Sequence, residues 1–183
     1  MKRLFVAVNL PPEIKDKIAK GLQLFQKGLP MARFIPPENW HITLVFLGYQ
    51  DEESEKRIRA AVKEIADRNR PERIAIHGLQ YGPHGSAPRM IWAVGEGKQL
   101  GNIKNDLEDG LEKREVSFER EGRPLRIHIT VARFKNPVPL KSLPSLNIPI
   151  HETFYANGID VIESRLQRTG AVYTVLEQYE LRK

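Results

Sequence analysis

The sequence predicts an α+β fold with antiparallel or mixed sheets, built as two lobes. Helix-like and strand-like segments alternate, but pairs of strands joined by short turns interrupt them, which argues against a doubly wound parallel sheet. The tripeptide His-Ile-Thr also occurs twice, at residues 41–43 and 128–130, so the copies are separated by close to half of the 183 residues. A motif repeated at this distance in similar context indicates a duplicated unit.

Length and composition are those of a globular protein. Charged residues make up 28% and hydrophobic residues 40% of the chain, which is ordinary for this class. No long linker divides the halves, so residues 1–183 are expected to form one domain with one His-x-Thr motif in each lobe. The absence of cysteine excludes disulfides, thiolate metal sites and a cysteine nucleophile.

Charge and hydropathy also predict where the protein is found, and we expect a cytoplasmic monomer. No apolar run approaches the roughly 20 residues of a membrane span, and no small-residue cleavage site follows the apolar start. A membrane partner is therefore not expected. The net charge of +6 is compatible with a nucleic-acid or phosphate partner.

The first half of the chain has clear element signals. Two prolines begin the first helix, where proline is favoured, and Pro71 closes the second, whose start is rich in acidic residues. A Gly/Pro-rich loop at 82–88 separates two strands. We expect strands at 3–10, 33–35, 41–48, 73–81 and 89–94, with helices at 11–27 and 51–70.

The second half begins with a third helical pattern and ends in strands. A polar loop at 119–124 leads into the second His-x-Thr strand, and the proline-containing segment 136–149 is expected to be largely irregular. The turn Arg168-Thr169-Gly170 predicts a final hairpin. We expect a helix at 97–114 and strands at 128–134, 150–156, 158–166 and 171–181.

The repeated motif places polar groups on one face of each strand. Alternate side chains of a strand point to opposite faces, so His41 shares a face with Thr43, and His128 shares a face with Thr130. If the duplicated strands meet, these faces would line one cleft, with two imidazoles and two hydroxyls around a small anion. The alternative is a repeated structural strand whose polar side chains only satisfy backbone groups.

Two histidines and two hydroxyls suit the hydrolysis of a phosphodiester. One neutral imidazole can take a proton from water while a protonated one gives a proton to the leaving oxygen. Arg133 would stabilise the phosphate charge, but it lies five residues after His128, on the opposite face of an ideal strand. It can reach the site only if the strand ends or bulges near Ala132; otherwise it is a surface charge.

This chemistry requires neither a metal nor another cofactor. A zinc site would need three protein ligands, and each His-x-Thr strand offers one histidine without a carboxylate at the neighbouring same-face positions. A third ligand from His77, His84 or His151 stays open as the alternative.

The segments H-I-T-L-V-F-L-G at 41–48 and H-I-T-V-A-R at 128–133 resemble the paired motifs of the 2H phosphoesterases. Within that superfamily the chain resembles most closely the RNA 2′,3′-cyclic phosphodiesterases, also known as 2′-5′ RNA ligases. The resemblance includes the opening R-L-F-V-A-V and the tail E-S-R-L-Q-R-T-G-A-V-Y-T. It implies a bilobal α+β fold with two antiparallel sheets facing a central cleft and helices on the outside.

The same resemblance implies a reaction and roles for the site residues. An RNA end or nucleotide with a 2′,3′-cyclic phosphate would be hydrolysed to a 2′-phosphate, with ligation through a 2′-5′ bond left open. His41 would be the proton donor and His128 the proton acceptor, while Thr43, Thr130 and Arg133 would hold the phosphate. The alternatives are an RNA-binding module without turnover, or a phosphoesterase acting on another cyclic phosphate or an RNA 3′ end.

Overall fold

The computed structural model describes residues 1–146, 150–167 and 170–182, which form an α+β fold. The helices are α1 (Pro12–Gln26), α2 (Glu52–Arg68) and α3 (Leu100–Glu112). The strands are β1 (Lys2–Asn9), β2 (Ala32–Phe34), β3 (His41–Gln50), β4 (Glu72–Gly82), β5 (Met90–Glu96), β6 (His128–Phe134), β7 (Glu152–Ala156), β8 (Gly158–Gln167) and β9 (Gly170–Glu180).

The strands form two antiparallel sheets, as predicted. The first sheet has the order β3-β1-β8-β9, and the second has the order β2-β6-β5-β4-β7. Each sheet takes strands from both halves of the chain, because β8 and β9 join the sheet of the first motif while β2 joins the sheet of the second. The two lobes are therefore interleaved and are not the two contiguous halves of the sequence.

One continuous hydrophobic core connects both sheets with all three helices named above. On α1, Ile14, Ile18 and Leu22 are buried, as their helical spacing predicts. On the motif strands, Ile42 and Ile129 point into this core. The histidine and threonine that flank each isoleucine therefore lie on the opposite face of the strand. The alternation thus separates the core side of each strand from the side available for a site.

Local and tertiary contacts set the helix boundaries. Helix α2 begins after Asp51, whose carboxylate accepts a hydrogen bond of 2.8 Å from the backbone N–H of Ser54, a typical N-cap. Helix α3 begins three residues later than predicted. There the buried carboxylate of Glu72 on β4 accepts a hydrogen bond from the backbone N–H of Gln99, a distant contact that the local sequence does not reveal.

The C-terminal hairpin is confirmed by the pairing of β8 with β9 from Gly158 opposite Glu180 to Gln167 opposite Gly170. Two residues of its predicted turn, 168 and 169, lie outside the described residues, as do residues 147–149 of the segment predicted to be irregular. The described part of that segment contains a short 3₁₀ helix at Leu140–Ser142. Among the described residues, no helix is long and apolar enough to cross a membrane.

Candidate active site

The two His-x-Thr motifs occupy matching positions in the two sheets. His41 is the first residue of β3 and His128 is the first residue of β6, and these strands approach each other where the two sheets meet. The charge of His128 acts on His41 across this approach. The structure therefore brings together the two histidines that the sequence singles out.

Both imidazoles are held by the same local hydrogen bond. The Nδ1 atom of His41 lies 2.8 Å from the backbone oxygen of Asn39, and Nδ1 of His128 lies 2.9 Å from the backbone oxygen of Arg126. Because a carbonyl oxygen can only accept, each Nδ1 carries the hydrogen and donates it. Each neutral ring thus keeps the lone pair on Nε2, which is the atom that can take up a proton.

Aromatic rings support each imidazole. Ring centroids place His41 4.7 Å from Phe5 and 5.1 Å from Tyr173, the latter edge-on. The ring of His128 lies 4.6 Å from that of Trp92. Trp92 packs over Gly82, where a Cβ atom would come within 2.4 Å of the indole ring. These contacts restrict the orientation of both imidazoles.

Burial changes the protonation behaviour of His41. Burial, together with the positive charges of Lys15, His128 and Arg133, lowers the pKa of His41 to about 4, against the opposing effect of its hydrogen bond to Asn39. Burial is the largest cause because an apolar environment disfavours the charged imidazolium. In the protein without substrate, His41 is therefore neutral at pH 7.

A β-bulge brings Arg133 to the face of His128 and Thr130. In the pairing of β5 with β6, Ile91 lies opposite Ala132 while Trp92 lies opposite Thr130, so Val131 is the extra residue. Val131 and Ala132 are both buried and Arg133 is exposed, as expected when a bulge reverses the alternation. The charge of Arg133 also acts on His41, and the Nη1 atom of Arg133 lies 3.3 Å from Sδ of Met90.

The first motif contains the same bulge, and it brings Phe46 to the corresponding position. In the pairing of β1 with β3, Val6 lies opposite Val45 and Ala7 lies opposite Thr43, which makes Leu44 the extra residue. Aromatic residues in strands are expected in the core, and for Phe46 this expectation is wrong, because it is 57% exposed. Phe46 stands three residues after Thr43, as Arg133 stands three residues after Thr130, so aligning the two repeats could have identified it.

The remaining aromatic and hydroxyl residues complete the face. Thr43 and Thr130 are half-buried beside their histidines. Phe5 is buried in a separate small core cluster with Ala7 and Ile162, against which Tyr173 packs. This cluster lies under His41 and has no part in the main core.

The other three histidines are all exposed. His77 is exposed at a bulge of β4, and His151 is exposed just before β7. His84 is exposed in the loop after β4, with its ring 6.5 Å from that of Trp92. In residues 1–146, 150–167 and 170–182, no three His, Asp or Glu side chains form a group that could hold a metal ion.

Comparisons with known proteins agree with this fold. A family model described as LigT-like phosphoesterase matches residues 8–92. A curated relative from Thermus thermophilus, named RNA 2′,3′-cyclic phosphodiesterase, is 31% identical over 98% of this chain and 90% of its own length. A relative of the same name from Archaeoglobus fulgidus is 33% identical over 75% of each chain.

A solved structure extends the match to the fold. The crystal structure of TT0787 from Thermus thermophilus has a TM-score of 0.86 and 30% identity, and the alignment covers 98% of both chains. The protein therefore belongs to the LigT-like phosphoesterase family. This membership confirms, at the level of the family, the resemblance carried by the two His-x-Thr segments.

Proposed function

We propose that this protein hydrolyses the 2′,3′-cyclic phosphate of an RNA end or nucleotide to a 2′-phosphate, by metal-independent acid–base catalysis with two histidines. The observation that carries the proposal is the matched pair His41 and His128. Both imidazoles donate from Nδ1 to a carbonyl two residues earlier, so both offer Nε2 for proton transfer. The relatives named RNA 2′,3′-cyclic phosphodiesterase support this substrate class.

In the proposed reaction, a water molecule attacks the phosphorus atom and the bond to the 3′ oxygen breaks. The Nε2 atom of His128 takes the proton of the attacking water, and Nε2 of His41 gives a proton to the departing 3′ oxygen. Because His41 is neutral in the free protein, it must take up a proton from solvent when the substrate binds. An anionic phosphate beside the ring raises the pKa of His41 and so favours the imidazolium form.

The groups on the same faces are assigned to the phosphate. The hydroxyls of Thr43 and Thr130 and the guanidinium of Arg133 would hold its non-bridging oxygens, where charge increases in the transition state. Arginine suits this role because its planar fork can donate two parallel hydrogen bonds to a phosphate. The two bulges support this assignment, because they turn the residues that follow each motif toward the face of its histidine.

The most direct test measures turnover of the four nucleoside 2′,3′-cyclic phosphates in excess chelator. We expect a 2′-phosphate product and a bell-shaped pH dependence, because one histidine must be neutral and the other protonated in the active complex. Activity that disappears after chelation and returns with zinc would refute the metal-independent mechanism. RNA binding without product from any cyclic phosphate would instead support the binding-module alternative.

The substrate end can be varied in the same assay. Faster turnover of an oligonucleotide ending in a cyclic phosphate than of a mononucleotide would favour RNA, whereas turnover of a cyclic sugar phosphate alone would favour another substrate. Incubation with two RNA fragments tests for a 2′-5′ ligated product. The single cooperative domain, the monomeric state and the cytoplasmic location stay predictions.

We further expect Phe46 to stack on the nucleobase of the substrate. Its ring is exposed on the same face as His41 and lies 6.2 Å from the ring of Phe5. Base–aromatic stacking contributes about 1–3 kcal/mol, so Phe46→Ala should raise KM by about 10-fold with a smaller change in kcat. Tyr49→Ala is the matched control, because Tyr49 is a 64% exposed aromatic residue near the end of the same strand. Equal effects of both substitutions would contradict the assignment.

A further inference from the structure

The two histidines have equivalent backbones but different neighbours. The residue directly opposite His41 on the adjacent strand is Asn9 of β1, and the residue directly opposite His128 is Val94 of β5. A polar side chain therefore stands beside His41 at the position where an apolar side chain stands beside His128. This difference breaks the two-fold equivalence that the repeated motif would otherwise give the site.

Asn9 is part of a buried polar pair. Its side-chain amide donates a hydrogen bond to Oδ2 of Asp160 on β8. Asp160 is only 1% exposed, and its Oδ1 atom has no hydrogen-bond partner among the described residues. A buried carboxylate with an unsatisfied oxygen is costly, so a cation in its vicinity would stabilise it.

The charge of Asp160 acts on Lys15, which lies in the first turn of α1. Lys15 is half-buried, and the charge of Glu38 also acts on it. The Nζ atom donates a hydrogen bond of 3.2 Å to the backbone oxygen of Glu38. Glu38 lies in the short 3₁₀ helix Pro37–Asn39. The next carbonyl along the chain, that of Asn39, accepts the hydrogen bond from Nδ1 of His41.

Lys15 thus connects α1 to the turn that orients His41. The same turn is attached on its other side, where the side-chain amide of Asn39 donates to the backbone oxygen of Ala171 on β9 over 3.5 Å. Within the part of the chain that the structure describes, the charged or titratable groups that face His41 are Lys15 from α1, His128 and Arg133 from β6, and Tyr173 from β9. Lys15 combines a positive charge near the ring with a hydrogen bond to the turn that holds it.

We propose that Lys15, which donates a hydrogen bond to the backbone oxygen of Glu38, is a positioning residue that fixes the orientation of His41 and opposes a positive charge on its ring until the anionic substrate arrives. This inference rests on the proposed phosphodiesterase function. A positive charge beside an imidazole also makes the imidazolium a stronger acid, which suits transfer of its proton to a leaving oxygen. Lys15 with Asn9 and Asp160 therefore makes the two histidines unequal.

The test is an NMR titration of the His41 ring in four proteins: wild type, Lys15→Met, Lys15→Arg and Lys20→Met. Lys20 is an exposed lysine on the same helix, so its substitution removes equal charge without touching the turn. Lys15→Met should raise the pKa of His41 by about one unit, as expected for loss of a nearby like charge. Lys15→Arg and Lys20→Met should leave the pKa of His41 near its wild-type value.

Kinetics supply the second readout. Lys15→Met should lower kcat by about 10-fold to 100-fold, the range expected when a catalytic group is misplaced by up to about 1 Å, with KM changed less. Its pH–rate profile should also shift, and Lys15→Arg should restore both. An unchanged His41 titration in Lys15→Met would overturn the proposal. The titration needs no turnover, so it still decides the matter if the wild type proves inactive on cyclic phosphates.

Discussion

Replacing either His41 or His128 with alanine is expected to reduce kcat by about 10²–10⁴-fold, the contribution typical of a general acid or base. Each substitution removes the Nε2 atom that transfers a proton in the proposed reaction. Both rings lie on the half-buried face of their strands, outside the main hydrophobic core. The fold should therefore persist, and thermal unfolding of both variants should stay close to that of the wild type.

The matched control is His77→Ala, which removes an exposed imidazole from the bulge of β4 and should leave turnover unchanged. The double variant of His41 and His128 should be little worse than either single variant, because residues that act as one unit have strongly non-additive effects. Substantial activity in either single variant would show that the proton transfers do not both depend on this pair.

The strand pattern predicts which faces carry the site. The alternation of His, Ile and Thr separates polar from apolar faces in both motifs, and the structure has Ile42 and Ile129 in the core with the histidines on the other face. The duplication likewise predicts that the two motif strands occupy equivalent positions in the two lobes. Two long-range features of the site were not visible in this pattern, namely the strand partners and the bulges.

The bulges could not be predicted from a period of two. Val131 and Leu44 look like ordinary strand residues, and their extra position becomes visible only in the register against β5 and β1. For the same reason, the sequence alone could not show on which face of its strand Arg133 lies. A strict alternation also puts Phe46 on the core face. The condition that the sequence sets for Arg133 is a bulge near Ala132, and the pairing of β5 with β6 contains such a bulge.

The residues that surround His41 could also not be predicted from the local sequence. Asn9, Lys15 and Asp160 come from β1, α1 and β8, and nothing in their own segments marks them as neighbours of a histidine. Their proximity depends on β8 joining the sheet of the first motif, which reverses the simple division of the chain into two halves. Sequence symmetry therefore predicts two equal histidines, whereas the fold surrounds them unequally.

Arg133→Ala is expected to reduce kcat by about 10²–10³-fold, the loss measured when one preorganised donor to developing charge is removed. Arg133→Lys should recover only part of this loss, because lysine keeps the charge but not the planar fork that donates two hydrogen bonds. The reason for an effect this large is the bulge at Val131, which turns Arg133 to the face of His128.

The control for this substitution is Arg73→Ala, which removes an exposed guanidinium from β4 of the same sheet and should change kcat less than about twofold, since surface charges have small effects. The comparison separates a local contact from the overall positive field of the protein. If Arg133→Ala and Arg73→Ala behaved alike, the bulge would have no catalytic consequence, and the phosphate would be held by Thr43, Thr130 and the two imidazoles alone. A loss confined to Arg133→Ala, with partial recovery by lysine, would instead show that the bulge in β6 builds the phosphate site.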